Sequence, residues 1–423
     1  MKNHYFLSQP HQPFFVLAFV NAIISMILFM LLFKGLITAE ILSGEYHAYS
    51  LIFLLFTPAF LAFLFTTFPK FSGTPPIPQK HFLGIFWIFL AGSLILLLGL
   101  FLSKTVITIG MILVLVAQLA SGNILLSIYN SSPMYPNEKT DQYWILIAIA
   151  LGIFAHLLFI LSIWIPSLQT LSVQIAIYLY LFLLTFTVAQ RMIPLFSGKP
   201  IEKHMERFRV IVGLLSLHVL LETIQPNSSF LTDFLLAYLT GKELMRWKLP
   251  FPNPDPMIWI LHISLFWIPI AFLLSGLSNI LTLIDGTNFL FLDLHIVVLG
   301  FIFTILIGFG TRVTLGHSGN EIKADKLTLL LFYWTQVVVV MRIFTSLAVS
   351  SGWDFFVFFD ISVTVWIVMF GLWARRFFGT LIFKKESDNA ESAQKPSEMK
   401  FGTKPNSMNS SQKPTGMKFS EKK

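Results

Sequence analysis

Residues 293–319 read DLHIVVLGFIFTILIGFGTRVTLGHSG. From Ile296 to Thr311 this stretch holds no charged side chain, and about 20 such residues suffice to cross the hydrocarbon core of a bilayer as one helix. His295 falls inside the helix toward one end. A polar turn carrying Arg312 and His317 follows at the other. Ionisable groups in a bilayer are expensive and are kept mainly where they have a partner or a task. The positions of the histidines therefore carry most of the functional information.

The rest of the chain agrees with a membrane setting. Its 423 residues are 55% hydrophobic and only 12% charged, where soluble domains are about a quarter charged. Hydropathy predicts an all-α polytopic membrane bundle of about twelve helices, near 13–33, 47–69, 81–103, 105–129, 143–165, 170–191, 207–224, 229–246, 257–278, 287–310, 325–349 and 354–378. The eighth is the weakest, because it contains Asp233 and Gly241. The run from Pro13 to Phe33 is too long for a signal-peptide core, and it reads as a retained helix. The expected organisation is a short N-terminal segment (1–12), a twelve-helix domain (13–380) and a disordered basic tail (381–423). The tail contains a near repeat, QKPSEMKF at 394–401 and QKPTGMKF at 412–419. No convincing repeat relates the two halves of the helical domain.

Loop charge orients the chain. One set of loops carries Lys70, Lys80, Lys139, Lys199, Lys203, Arg207, Arg209, Lys242, Arg246, Lys248, Lys323 and Lys326. The opposite set carries only Lys34 and Lys104, beside Glu40, Glu45 and Asp285. Both termini are expected on the lysine-rich, cytoplasmic side of a bacterial inner membrane, which requires an even number of crossings. The net charge of +8 lies in these loops and the tail, so it points to membrane lipid and not to nucleic acid. The chain has no cysteine. Thiolate metal sites, cysteine-held iron–sulfur clusters, disulfides and a cysteine nucleophile are excluded.

Of ten histidines, His4, His11, His81 and His204 read as ordinary loop or interface residues. The other six, His47, His156, His218, His262, His295 and His317, fall in or against predicted helices. A single intramembrane histidine commonly hydrogen-bonds a neighbouring helix, and this is the expectation for His156 and His218. His47 opens the second helix, whereas His295 is about 12 Å deeper from the same side if the tenth helix begins at residue 287. The two meet only if these boundaries shift. The depths favour two sites, one toward each face. Neutral imidazole is a good axial ligand for haem iron and also suits copper, and two imidazoles on different helices can grip one haem. Arg191, in AQRMIPLFSG, and Arg312 end their helices with forks able to hold a propionate, a quinone carbonyl or a phosphate, or to anchor at the interface. Glycines 300, 308 and 310 permit close helix packing. Asp293 does not share a helix face with His295; a carboxylate there could orient another histidine, which the sequence alone does not show. Segments such as CxxCH, HPxxY, HExxH, GxSxG and a P-loop are missing.

Five stretches, taken in order, are similar to the NnrS family. They are HAYSLIFLLFTPAFLAFLFTTFPKFSGTPP at 47–76, AQRMIPLFS at 189–197, WILHISLFWIPIAFLL at 259–274, LHIVVLG at 294–300 and TRVTLGHSG at 311–319. The resemblance runs from about residue 13 to residue 378. It implies a haem- and copper-containing inner-membrane protein linked to nitric oxide, nitrosative stress and denitrification. Carried over by position, it implies His47, His262, His295 and His317 as metal and haem ligands, with Arg191 and Arg312 as cofactor partners. One departure bears on copper: the family's second histidine in its HAHE segment is Tyr49 here, and the acidic residue is Ser50. Two other readings remain open. One is a twelve-helix secondary transporter, with Pro58 and Pro269 interrupting helices. The other is a quinol-linked membrane oxidoreductase with haem as relay and a quinone or another electron donor as partner.

Overall fold

The computed structural model describes residues 5–383. Residues 1–4 and 384–423, the latter including both copies of the tail repeat, lie outside the described residues. Twelve long helices are present among the described residues, and no strand is. They are α1 (His11–Phe33), α2 (Ser43–Phe71), α3 (Gln79–Gly99), α4 (Lys104–Ser131), α5 (Thr140–Ser162), α6 (Leu168–Phe196), α7 (Met205–Ile224), α8 (Phe230–Trp247), α9 (Pro256–Asp285), α10 (Leu292–His317), α11 (Lys326–Ser351) and α12 (Phe355–Ile382). Side-chain caps fix several starts: Ser103, Asp255, Asp325 and Asp354 each accept a backbone N–H from the first turn of the helix that follows, which satisfies donors that the helix itself cannot. Ten helices are long and apolar enough to cross a membrane. The exceptions are α7 and α8. Asp233, Lys242, Glu243 and Arg246 make α8 the most polar, as the sequence suggested.

Three helices form the centre. The most apolar windows of α2 and α6 are each 89% buried and that of α10 is 78% buried, against 56% or less for every other candidate span. The outer helices surround them, and α12 packs back on α1. Each central helix contains a widened π-helical stretch, at Ser50–Phe56, Ile175–Phe182 and Val297–Phe303. Such segments are rare and are found mostly at functional sites. Pro58 does not break α2. It directly follows the π-helical stretch, where Thr57 Oγ1 donates to the Ile52 carbonyl at 3.0 Å.

The three central helices also end alike. PKFSG at 69–73, PLFSG at 194–198 and LGHSG at 315–319 share a Ser–Gly exit. Gly73, Gly198 and Gly319 all have positive φ, 64°, 64° and 72°, a conformation that costs any other L-residue. The turn is the same in detail in the first two, where the Thr74 N–H reaches Pro69 O at 3.0 Å and the Lys199 N–H reaches Pro194 O at 2.9 Å. These glycines are 125 and 121 residues apart, and the helices carrying them are second, sixth and tenth. Counted by these exits, the twelve helices fall in chain order into three units of four, each with its central helix in second place.

Side-chain contacts obey the same cyclic order. Arg191 of the second unit lies 4.6 Å over the Phe71 ring of the first. Arg312 of the third lies 4.1 Å over the Phe196 ring of the second. The position matching these arginines in the first unit is Thr66, and Lys70 instead reaches His317 of the third, Nζ to Nε2 at 3.2 Å.

Candidate functional site

At the lysine-poor end, the helix boundaries bring His47 and His295 level. Helix α2 begins at Ser43, earlier than hydropathy predicts, and α10 begins at Leu292, later. Each histidine thus lies in the first turns of its helix. Their rings are 6.1 Å apart between centroids and 20° from parallel. His295 is held firmly. Its Nδ1–H donates to the Phe291 carbonyl at 2.7 Å, leaving the Nε2 lone pair for a metal. Arg342 of α11 stands 3.1 Å from the same ring nitrogen and donates to the Leu290 carbonyl at 2.5 Å. The His47 ring makes no hydrogen bond to a described residue, and it packs against Phe29 at 4.1 Å. Arg342 is absent from the sequence-derived set. Its signal was present, as the single charge in the run VVVVMRIFTS.

At the lysine-rich end, the expected residues gather less simply. His317 donates from Nδ1 to the Val313 carbonyl at 3.0 Å, so Lys70 donates to its Nε2. Its ring lies 5.2 Å from that of His11. His11 is buried at the start of α1, with Nδ1 unpartnered, although the sequence reads it as an ordinary terminal residue. No ring contact or hydrogen bond joins His262 to His317 among the described residues. His262 is buried and donates from Nε2 to Ser197 Oγ at 2.7 Å, because that hydroxyl already gives its own proton to the Ile193 carbonyl. This leaves His262 Nδ1 an unpartnered acceptor.

The two arginines separate. Arg191 is committed to Asp141 at 3.0 Å, and Lys203 pairs with the same carboxylate. Arg312 stacks on Phe196, next to the Ser197 that holds His262, and its buried Nε and Nη1 have no partner. An unmade buried hydrogen bond costs about 1–3 kcal/mol, so these donors suit an oxygen-bearing ligand. Nearby glycines serve packing, as expected: a Cβ on Gly308 would come within 2.7 Å of Leu261, and one on Gly300 within 2.8 Å of Trp267.

Tyr49 and His156 form a closed structural unit. The Tyr49 hydroxyl donates to His156 Nε2 at 2.9 Å, and His156 Nδ1–H donates to Gln118 Oε1 at 2.8 Å. Nothing on this imidazole is left for a metal.

Comparison with known families settles the membership. A family model described as NnrS protein matches residues 5–385, nearly the whole chain. The chain belongs to the NnrS family. No curated protein matches it. Within this NnrS chain, the carried-over positions fall at two ends of one bundle: His47 and His295 toward one face, His262, His317, Arg191 and Arg312 toward the other. The two imidazoles at the first end are of the donor type that would hold a haem iron: their rings lie 6.1 Å apart, and the Nε2 of His295 is left unprotonated by the bond from its Nδ1–H. Copper fares differently, because among the described residues no three His, Cys, Asp or Glu side chains converge on a metal position.

Proposed function

We propose that this NnrS-family protein binds haem in a bacterial inner membrane through His47 and His295, and that it acts in handling nitric oxide during nitrosative stress or denitrification. The 6.1 Å separation of these two rings carries the reading. They come from α2 and α10, two of the three most buried helices, beside π-helical stretches that re-aim side chains.

Haem would supply an iron that binds nitric oxide and exchanges single electrons. The protein's part is to fix the donors. The Phe291 carbonyl sets the His295 tautomer, and Arg342 places positive charge against that ring. His47 has only ring packing to hold it, so of the two residues that would hold the haem it is the less firmly fixed. At the other end, the unpartnered Nε and Nη1 of Arg312 would donate to a carbonyl or carboxylate oxygen, such as a quinone or a haem propionate presents. With Tyr49 bonded to His156 and no third ligand at hand among the described residues, the reading does not include copper.

Purified full-length protein from haem-replete cells, its absorption spectrum recorded before and after nitric oxide, tests this. A Soret band that shifts with nitric oxide supports the reading. A colourless, correctly inserted protein that carries out uptake in proteoliposomes favours the transporter instead. Quinol-dependent consumption of nitric oxide would assign turnover and not binding alone.

A further inference from the structure

A second buried histidine differs from His156 in a way that binding to a neighbouring helix does not explain. His218 of α7 is fully buried. Its Nδ1–H donates to Asp233 Oδ1 of α8 at 2.6 Å. Asp233, equally buried, also accepts from Ser229 Oγ at 2.9 Å, Ser275 Oγ at 2.9 Å and Asn279 Nδ2 at 3.0 Å. Three helices therefore fix one carboxylate against one imidazole. The other imidazole nitrogen, Nε2, has no partner. Nor has the hydroxyl of Tyr178, a fully buried residue whose ring lies 4.1 Å from that of His218. In His156 both nitrogens are used. Here a donor–acceptor pair is left open in ring contact, inside the π-helical stretch of α6.

The charges facing this pair are all acidic. Asp233 of α8, Glu222 of α7 and Asp293 of α10 act on both His218 and Tyr178, while α9 contributes only the neutral Ser275 and Asn279. Glu222 is itself tied to the N–H groups of Asn227 and Ser229. A buried pocket of carboxylates around one imidazole and one phenol calls for a small cation. The smallest needs no further ligands, and no three-ligand metal cluster is present among the described residues. Asp293 stands two residues from His295 and also acts on Arg342, which touches the His295 ring.

We propose that His218, Asp233 and Tyr178 form a buried proton-holding site on the lysine-poor side, which takes protons from water on that side and supplies them to the reaction at the His47–His295 pair. The first half stands on the geometry alone, and the second rests on the haem reading above. The step moves a proton only. The Nε2–H bond of a His218 imidazolium breaks as an O–H bond forms on Tyr178 or on a water molecule beside it, that oxygen releases its own proton onward, and a proton from outside restores Nε2–H. Asp233 stays ionised and holds the ring. No electron moves in this step.

Histidine-labelled nitrogen NMR on the full-length protein tests the first half. Followed from about pH 5 to about pH 8, the His218 signal, identified by its loss in His218→Gln, should stay doubly protonated to higher pH than an ordinary imidazole, and lose this in Asp233→Asn. A ring already neutral across that range, unmoved by Asp233→Asn, overturns the proposal. The second half is read from the midpoint potential of the bound haem. Its pH dependence should flatten in His218→Gln and Asp233→Asn, and persist in His156→Gln, a control for disturbing a buried histidine. An unchanged slope in all variants overturns the coupling. Absence of any Soret band counts against haem at His47 and His295, and the NMR result still decides the proton site.

Discussion

His47 and His295 lie with ring centroids 6.1 Å apart, but they are not held alike. His295 is braced by the hydrogen bond from its Nδ1–H to the Phe291 carbonyl, whereas the His47 ring hydrogen-bonds no described residue and packs on Phe29. His295→Ala is therefore expected to abolish haem retention through purification. His47→Ala should keep a fraction of the haem in a five-coordinate form. Haem-to-protein ratio and the spectrum of each variant check this, and equal loss in both would contradict the asymmetry.

Arg342→Met should weaken haem binding without touching either ligand. It removes a guanidinium that donates to the Leu290 carbonyl, in the turn before the His295 helix, and that places positive charge beside the His295 ring. Partners that orient metal-bound imidazoles typically contribute about 10–100-fold in affinity. Haem titration measures it, and a variant with unchanged affinity would show that Phe291 suffices.

Arg312 and Arg191 should diverge under the same substitution. Arg191→Met frees Asp141 from one of its cations, so the expected loss is in stability, about 1 kcal/mol or less for a partly exposed pair. Arg312→Met removes buried donors that lack a partner, so the folded protein should be no less stable. It should instead lose ligand binding at that end, read as a changed quinone affinity or haem content. Thermal unfolding measured beside ligand binding separates the two outcomes.

How far the sequence reveals all this differs from residue to residue. The long apolar runs were legible because transfer of side chains to lipid is a local, additive property. The doubt about α8 was equally legible, since Asp233 lies in plain view. The meeting of His47 and His295 was not, because it depends on where α2 and α10 start, and boundaries are set by capping and loop packing more than by hydropathy. The pairing of His218 with Asp233 joins adjacent helices, and matching their depths would have suggested it. His11 looked like a terminal residue because nothing local shows that α1 begins there, against His317. The threefold order of the helix exits was missed for a simple reason: only these short segments match, and halves are the wrong period for them.

Tyr49→Phe removes the donor to His156 Nε2 and leaves a buried acceptor unmet. A loss of about 1–3 kcal/mol is expected, visible as a lower unfolding temperature with haem content unchanged. Tyr49→His restores the family's histidine beside His156, and that variant is expected to take up copper that the natural chain does not. Copper analysis of both proteins checks this. Equal copper in the two would mean that Tyr49 does not decide metal content.

Gly198→Ala tests the shared turn. At φ 64° a Cβ costs roughly 1–2 kcal/mol, although nothing stands within 4 Å of where it would be. Gly73→Ala, at the same φ, should cost a similar amount. Thermal melts of both variants measure it, and two neutral substitutions would argue against a common turn.

The most direct test of the central claim is the absorption spectrum of the purified, membrane-inserted protein together with its His47→Ala and His295→Ala forms. Two axial imidazoles across one iron require a six-coordinate, low-spin haem spectrum in the natural chain that is altered in one variant and lost in the other. A natural chain without a Soret band, or one whose spectrum is the same in all three proteins, would contradict it.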